Sequence, residues 1–72
     1  MGKVEFGNNI RRLRFDSGEM SQQTLAEKAG CTRQTIIAIE QGRYNPSLVL
    51  AYKISRVFGK KIDEVFIFEE SG

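Results

Sequence analysis

Residues 21–40 read SQQTLAEKAGCTRQTIIAIE, and the fold turns on them. Ser21 suits a helix N-cap, because its hydroxyl can accept from a free N–H of the first turn. Behind it Leu25, Ala26 and Ala29 share one helical face. Gly30 stands where the chain must leave that helix, and glycine enters the left-handed region without strain. Cys31 fits as a small apolar plug below the turn, a structural thiol rather than a reactive one. Thr32 can cap the next helix, with Ile36 and Ile39 turned inward and an end before Gly42. The small Ala26 lets the two helices pack closely at a steep angle.

Working outward, the same punctuation marks three more helices. Asn8 or Asn9 can cap a first helix carrying Ile10, Leu13 and Phe15 inward and stopping near Ser17-Gly18. Asn45-Pro46 has the form of a cap followed by proline at the first helical position, where the missing N–H costs nothing. The fourth helix then carries Leu48, Leu50, Ala51, Ile54, Val57 and Phe58, and Gly59 ends it. A short fifth helix holds Ile62, Val65 and Phe66. The ends differ. Lys3-Val4-Glu5-Phe6 alternates polar and apolar, as a half-buried strand does, and Val65-Phe66-Ile67-Phe68 is an apolar run that a strand can also use. These two segments could pair, within one chain or across a dimer. The fold class is all-α, with five short helices and short terminal β segments.

Seventy-two residues make one small domain with little surface buried. With no histidine and one cysteine, an intramolecular disulfide and a cysteine-rich metal site are excluded. No apolar run approaches the roughly 20 residues of a membrane span, and the first residues lack the apolar core of a signal peptide. A cytoplasmic protein is expected. The net charge of +2 hides an asymmetry. Residues 1–61 hold all 11 Lys and Arg against five acids, while residues 62–72 hold only Asp63, Glu64, Glu69 and Glu70 as charges. A basic body with an acidic tail points to a polyanionic partner for the body, although a solvated surface is the ordinary reading of charge alone.

Two capped helices joined by a tight glycine turn have the layout of a helix-turn-helix, whose second helix enters the DNA major groove. The segment resembles the phage-repressor helix-turn-helix family, the Xre or Cro/CI type. SQQTLAEKAG is similar to the family's S-Q-x-x-L-A-x-x-x-G. TRQTIIAIEQGRYNPSLVLAYKISRVFG is similar to S-R-x-x-I-x-x-I-E-x-G-x-x-x-P-x-x-x-x-L-x-x-I-A-x-x-F/L-G. NNIRRLR is similar to the x-x-I-x-x-L-R of the family's first helix. The match covers residues 8–68, with residues 1–7 as an N-terminal extension and 69–72 as an acidic tail. The turn Ser17-Gly18-Glu19-Met20-Ser21 is one residue longer than the usual G-L-S, with Met20 in the apolar slot. The resemblance implies a compact lambda-repressor-like DNA-binding domain.

It also implies roles for particular residues. Gln22, at the start of the second helix, can bind a phosphate together with free backbone N–H groups, or be an exposed first-turn glutamine. Thr32, Arg33 and Gln34 stand at the end of the third helix that enters the groove. Arg33 can grip guanine and Gln34 adenine with paired hydrogen bonds, or either can hold phosphate. Thr35 is a candidate for phosphate contact or plain helix surface. Ile37 falls outside the core stripe and can touch a thymine methyl or pack at the helix edge, and Ala38 would keep the helix close to the bases. Arg43, Tyr44 and Asn45 can clasp the phosphate backbone, though a packed aromatic is the ordinary account of Tyr44. Arg14 and Glu40 form an ion pair by resemblance, locking the recognition helix onto the first.

Three functions from different classes compete. The first is a sequence-specific double-stranded DNA-binding transcriptional regulator, a repressor acting as a homodimer on an inverted repeat, with Val65, Phe66, Ile67 and Phe68 as its dimer surface or as part of its own core. The second keeps the fold but makes it an antitoxin or adaptor module whose main partner is protein. The third, an enzyme, finds no histidine, no nucleophile–base pair and no glycine-rich phosphate loop. No cofactor, metal, membrane or small-molecule ligand is called for. The polar front of the third helix favours the first function.

Overall fold

A computed structural model describes the backbone of residues 3–71 and the side chains of residues 7–68. Met1 and Gly2 of the N-terminal extension and Gly72 of the acidic tail lie outside the described residues. The order is β1 (Lys3–Asn8), α1 (Ile10–Asp16), α2 (Gln22–Ala29), α3 (Arg33–Glu40), α4 (Leu48–Val57), α5 (Ile62–Val65) and β2 (Phe66–Ser71). Five helices surround one core, and the two strands close the chain as an antiparallel ribbon. Of the two pairings the sequence allows, within a chain or across a dimer, the ribbon is the first. Gly7 lies opposite Ile67, Phe6 opposite Phe68 and Glu5 opposite Glu69.

The core is made of Ile10, Leu25, Ala26, Ala29, Ile36, Ile39, Ala51, Ile54, Val65 and Phe66, all buried. Each large side chain so buried contributes roughly 1.5–3 kcal/mol. Leu13, Met20, Cys31, Leu50, Val57, Phe58 and Ile62 pack around them. Val65 and Phe66 thus serve the protomer's own core. Phe66 opens β2 rather than ending α5.

Hydroxyl caps start the three long helices. The Oγ of Ser21 accepts from the N–H of Thr24, and the Oγ1 of Thr32 from that of Thr35. Gly30 takes φ 76°, a left-handed cap that any side chain would strain, and the N–H of Cys31 reaches back to the carbonyl of Ala26 at 2.9 Å. Three positions depart from the sequence pattern. Asn45-Pro46 does not start α4. Ser47 is the cap, and its Oγ accepts from the N–H of Leu50 at 3.1 Å, so the helix begins at Leu48. Leu48 consequently sits in the first turn, past the end of the core, and is 76% exposed. Phe15 is 67% exposed. Five residues beyond Ile10, it lies roughly 140° around a helix of 3.6 residues per turn. A buried position without an apolar signal also appears: Ser55, whose Oγ donates to the carbonyl of Ala51 at 2.8 Å.

The longer turn after α1 holds both Gly18 and Glu19 at positive φ, and its apolar residue, Met20, is partly buried. Asn8 closes the other side of α1. Its Oδ1 accepts from the N–H of Ile10, and its Nδ2 donates to the carbonyl of Ile39, at the end of α3. The N–H of Asn9 donates to the carbonyl of Val65, tying the start of the chain to its end.

Candidate nucleic-acid interface

Three elements meet at Glu40. The Nε of Arg14 donates to its Oε2 at 2.7 Å and the Nη2 to its Oε1 at 3.1 Å, a two-pronged contact. The Nη1 of Arg14 also donates to the carbonyl of Met20 at 2.8 Å, which pins the longer turn. The Nε2 of Gln22 completes the group by donating to Oε1 of Glu40 at 3.3 Å. The side chains of the ion pair are 16% and 9% exposed. One carboxylate therefore joins α1, the start of α2 and the end of α3.

Beside this group lies a cleft of about 580 Å³ lined by Arg11, Arg14, Ser21, Gln22, Gln23, Arg33, Ile37, Glu40 and Gln41. Gln22, Arg33 and Ile37 are thereby brought together with the ion pair. Thr32, Gln34, Thr35, Ala38, Arg43, Tyr44 and Asn45 do not line it. Thr32, Arg33 and Gln34 are exposed at the front of α3, while Thr35, Ile37 and Ala38 are half-buried. The hydroxyls of Thr32 and Thr35 lie 2.9 Å apart and share one hydrogen bond, so both are engaged in holding the first turn. Gln22 is half-buried and has one amide N–H committed to Glu40, which leaves the other to donate. Arg43, Tyr44 and Asn45 form an exposed loop beyond Gly42, at φ 73°, where the N–H of Arg43 caps the carbonyl of Ala38.

Arg11, Gln23 and Gln41 are lining residues that the sequence pattern did not single out. Gln41 follows Arg33 and Ile37 at four-residue steps, so counting along the outer face of the helix finds it. Arg11 precedes Arg14 by one turn. Gln23 carries no such signal. Arg11 and Arg33 have no ion-pair partner among the described residues. Two uncommitted guanidinium groups and the N-terminal turn of α2 make the cleft attractive to an anion. Cys31 packs half-buried against the core, and burial pushes its thiol pKa up, away from the nucleophilic thiolate.

A family model described as helix-turn-helix matches residues 10–65. The chain belongs to that Cro/CI-type helix-turn-helix family of transcriptional regulators. The helix-turn-helix relatives include an uncharacterized HTH-type transcriptional regulator of Archaeoglobus fulgidus, 57% identical over 71% of this chain and 72% of its own length. Another, from Methanothermobacter thermautotrophicus, is 52% identical over 88% of this chain and 91% of its own. A third, the control protein C.MunI of Mycoplasma sp, is 36% identical over 89% of this chain and 86% of its own. Within the matched residues, α2 and α3, joined through Gly30, are the two helices of the helix-turn-helix.

Proposed function

We propose that the protein is a repressor that reads double-stranded DNA in the cytoplasm as a dimer on an inverted repeat. The observation that carries this reading is the front of α3, where Arg33 and Gln34 are exposed beside a cleft flanked by two uncommitted arginines. A helix so presented fits the major groove, with its first turn toward the base edges. Arg33 suits guanine and Gln34 adenine, and the half-buried Ile37 and Ala38 offer apolar contact to thymine methyls. Thr32 supports this group through its cap more than through a free hydroxyl. The backbone of the duplex is held from both flanks. Gln22 and the N-terminal turn of α2 take one phosphate, and Arg43, Tyr44 and Asn45 take another, with Thr35 beside them. Arg11 and Gln41 join the first of these flanks. The ion pair of Arg14 and Glu40 keeps both flanks at a fixed distance.

A homodimer with one α3 in each half-site, about one turn of DNA apart, doubles the small contact of a single module. Of the four apolar tail residues, Ile67 and Phe68 retain exposed surface for such an assembly, whereas Val65 and Phe66 do not. The name of the control-protein relative accords with a regulatory role.

Selection of duplexes from a random pool tests the reading. A palindromic motif is expected, with affinity falling steeply as salt rises. Arg33→Ala should weaken binding by about 1–3 kcal/mol and relax one base position in each half-site. Failure to recover any motif, or an unchanged motif with Arg33→Ala, overturns base reading by α3.

A further inference from the structure

The acidic tail is not used by the interface just described, and neither is the outer face of α4. That face is unusual. A surface helix ordinarily turns polar side chains to water. Here Leu48 is 76%, Val49 63% and Tyr52 54% exposed, in the first turns of the helix. The row continues into Lys53 and Arg56, both exposed. With Lys28 of α2, Tyr52, Lys53 and Arg56 line a hollow of about 430 Å³ that shares no residue with the DNA-facing cleft. None of the three cations has an ion-pair partner among the described residues, where the ion pairs are Arg12 with Asp16 and Arg14 with Glu40. Three like charges around one hollow repel each other unless an anionic group answers them.

The chain itself carries the matching chemistry. Residues 62–72 combine four acids with the exposed Ile67 and hold no Lys or Arg. The main neighbours of β2 in its own protomer are β1 and α5, while α4 packs chiefly on α2 and α5. We infer that the acidic β2 segment of one copy docks on the apolar and cationic outer face of α4 in a second copy. The acidic end of the segment answers Lys53, Arg56 and Lys28, and Ile67 meets the apolar row at Leu48, Val49 and Tyr52. A two-fold axis makes the contact reciprocal, so each copy gives its tail and receives the other. The inference rests on the dimer reading and names its surface.

Sedimentation equilibrium of the full chain without DNA tests it through a charge swap. Lys53→Glu with Arg56→Glu makes one variant, and Glu69→Lys with Glu70→Lys the other. Circular dichroism melts confirm that both variants fold. Each variant alone should dimerise more weakly than the parent by roughly a hundredfold or more. Mixed in equal amounts, the two should form a heterodimer, because both reciprocal contacts then pair opposite charges. The parent dimer should also weaken with salt. If the parent is a dimer and either variant dimerises with the parent's affinity, or mixing restores nothing, the α4–tail contact is wrong and the dimer reading stands. That is also the outcome if α4 serves a different acidic protein. If the parent is a monomer both free and on a selected DNA site, the dimer reading falls and this contact with it.

Discussion

α3 and α4 are built alike on their inner faces and oppositely on their outer ones. Each starts with a hydroxyl cap, Thr32 or Ser47, and each sinks isoleucine into the same core. Outside, α3 leads with Arg33 and Gln34 and keeps its apolar side chains at least half-buried. α4 leads with bare Leu48 and Val49 and ends in cations. Core packing explains the shared half of each helix and is silent on the other half. The outer chemistry separates a helix suited to a polar, anionic duplex from one suited to a surface both apolar and acidic.

The comparison can be broken first at the core. Ile39→Ala and Ile54→Ala should each cost about 4 kcal/mol, since both side chains are fully buried. Chemical denaturation that separated the two by more than the scatter of such series would show that the helices do not share one core equally. Next comes the lateral tie that α3 has and α4 lacks among the described residues. Glu40→Ala strands Arg14 and should cost about 3 kcal/mol in the same measurement, with DNA affinity lost alongside. A loss of affinity without a loss of stability would place Glu40 outside the scaffold. The caps should behave as a pair. Thr32→Ala and Ser47→Ala are each expected to lower stability by about 1 kcal/mol. Asn45→Ala should leave the melting temperature unchanged while lowering DNA affinity, which separates its two suggested roles. The smallest effect belongs to the outer face of α4. Leu48→Ser should change the stability of the monomer by less than about 0.5 kcal/mol, measured by denaturation at a concentration where dimers are absent.

Much of this architecture is legible in the sequence, because α2, the turn and α3 are specified locally. Ser21, Gly30 and Thr32 each do their work within four residues of their own position, and spacing alone puts Leu25, Ala29, Ile36 and Ile39 on the inner faces. The start of α4 is less legible, since Asn45-Pro46 and Ser47 are both good starting signals two residues apart. What decides between them is which side chain reaches a free N–H, and Ser47 reaches that of Leu50. Phe15 and Leu48 mislead for a related reason. Apolar character says only that a residue gains by burial, and these two stand where no element among the described residues covers them. At the candidate site, Arg33, Gln22 and Ile37 follow from position along their helices, as does the contact of Arg14 with Glu40 from the family pattern. The bond from Gln22 to Glu40 does not follow, because it depends on how α2 and α3 cross. Arg11 enters the cleft for the same reason, through the packing of α1 against that corner.

Asn8 and Asn9 bear on the order of folding. The corner of α2 and α3 joins residues close in sequence, so its loop closure is cheap and fast. The bonds from Asn8 to Ile39 and from Asn9 to Val65 span 31 and 56 residues, and they form only when the chain has looped back on itself. In a chain growing from its N-terminus the corner can assemble before Val65 exists. The bond from Asn9 must wait for that residue, whereas the bond from Asn8 needs only Ile39. The corner is therefore expected to form early, with Asn8 fastening the end of α3 next and Asn9 fastening the start of α1 to the end of α5 last.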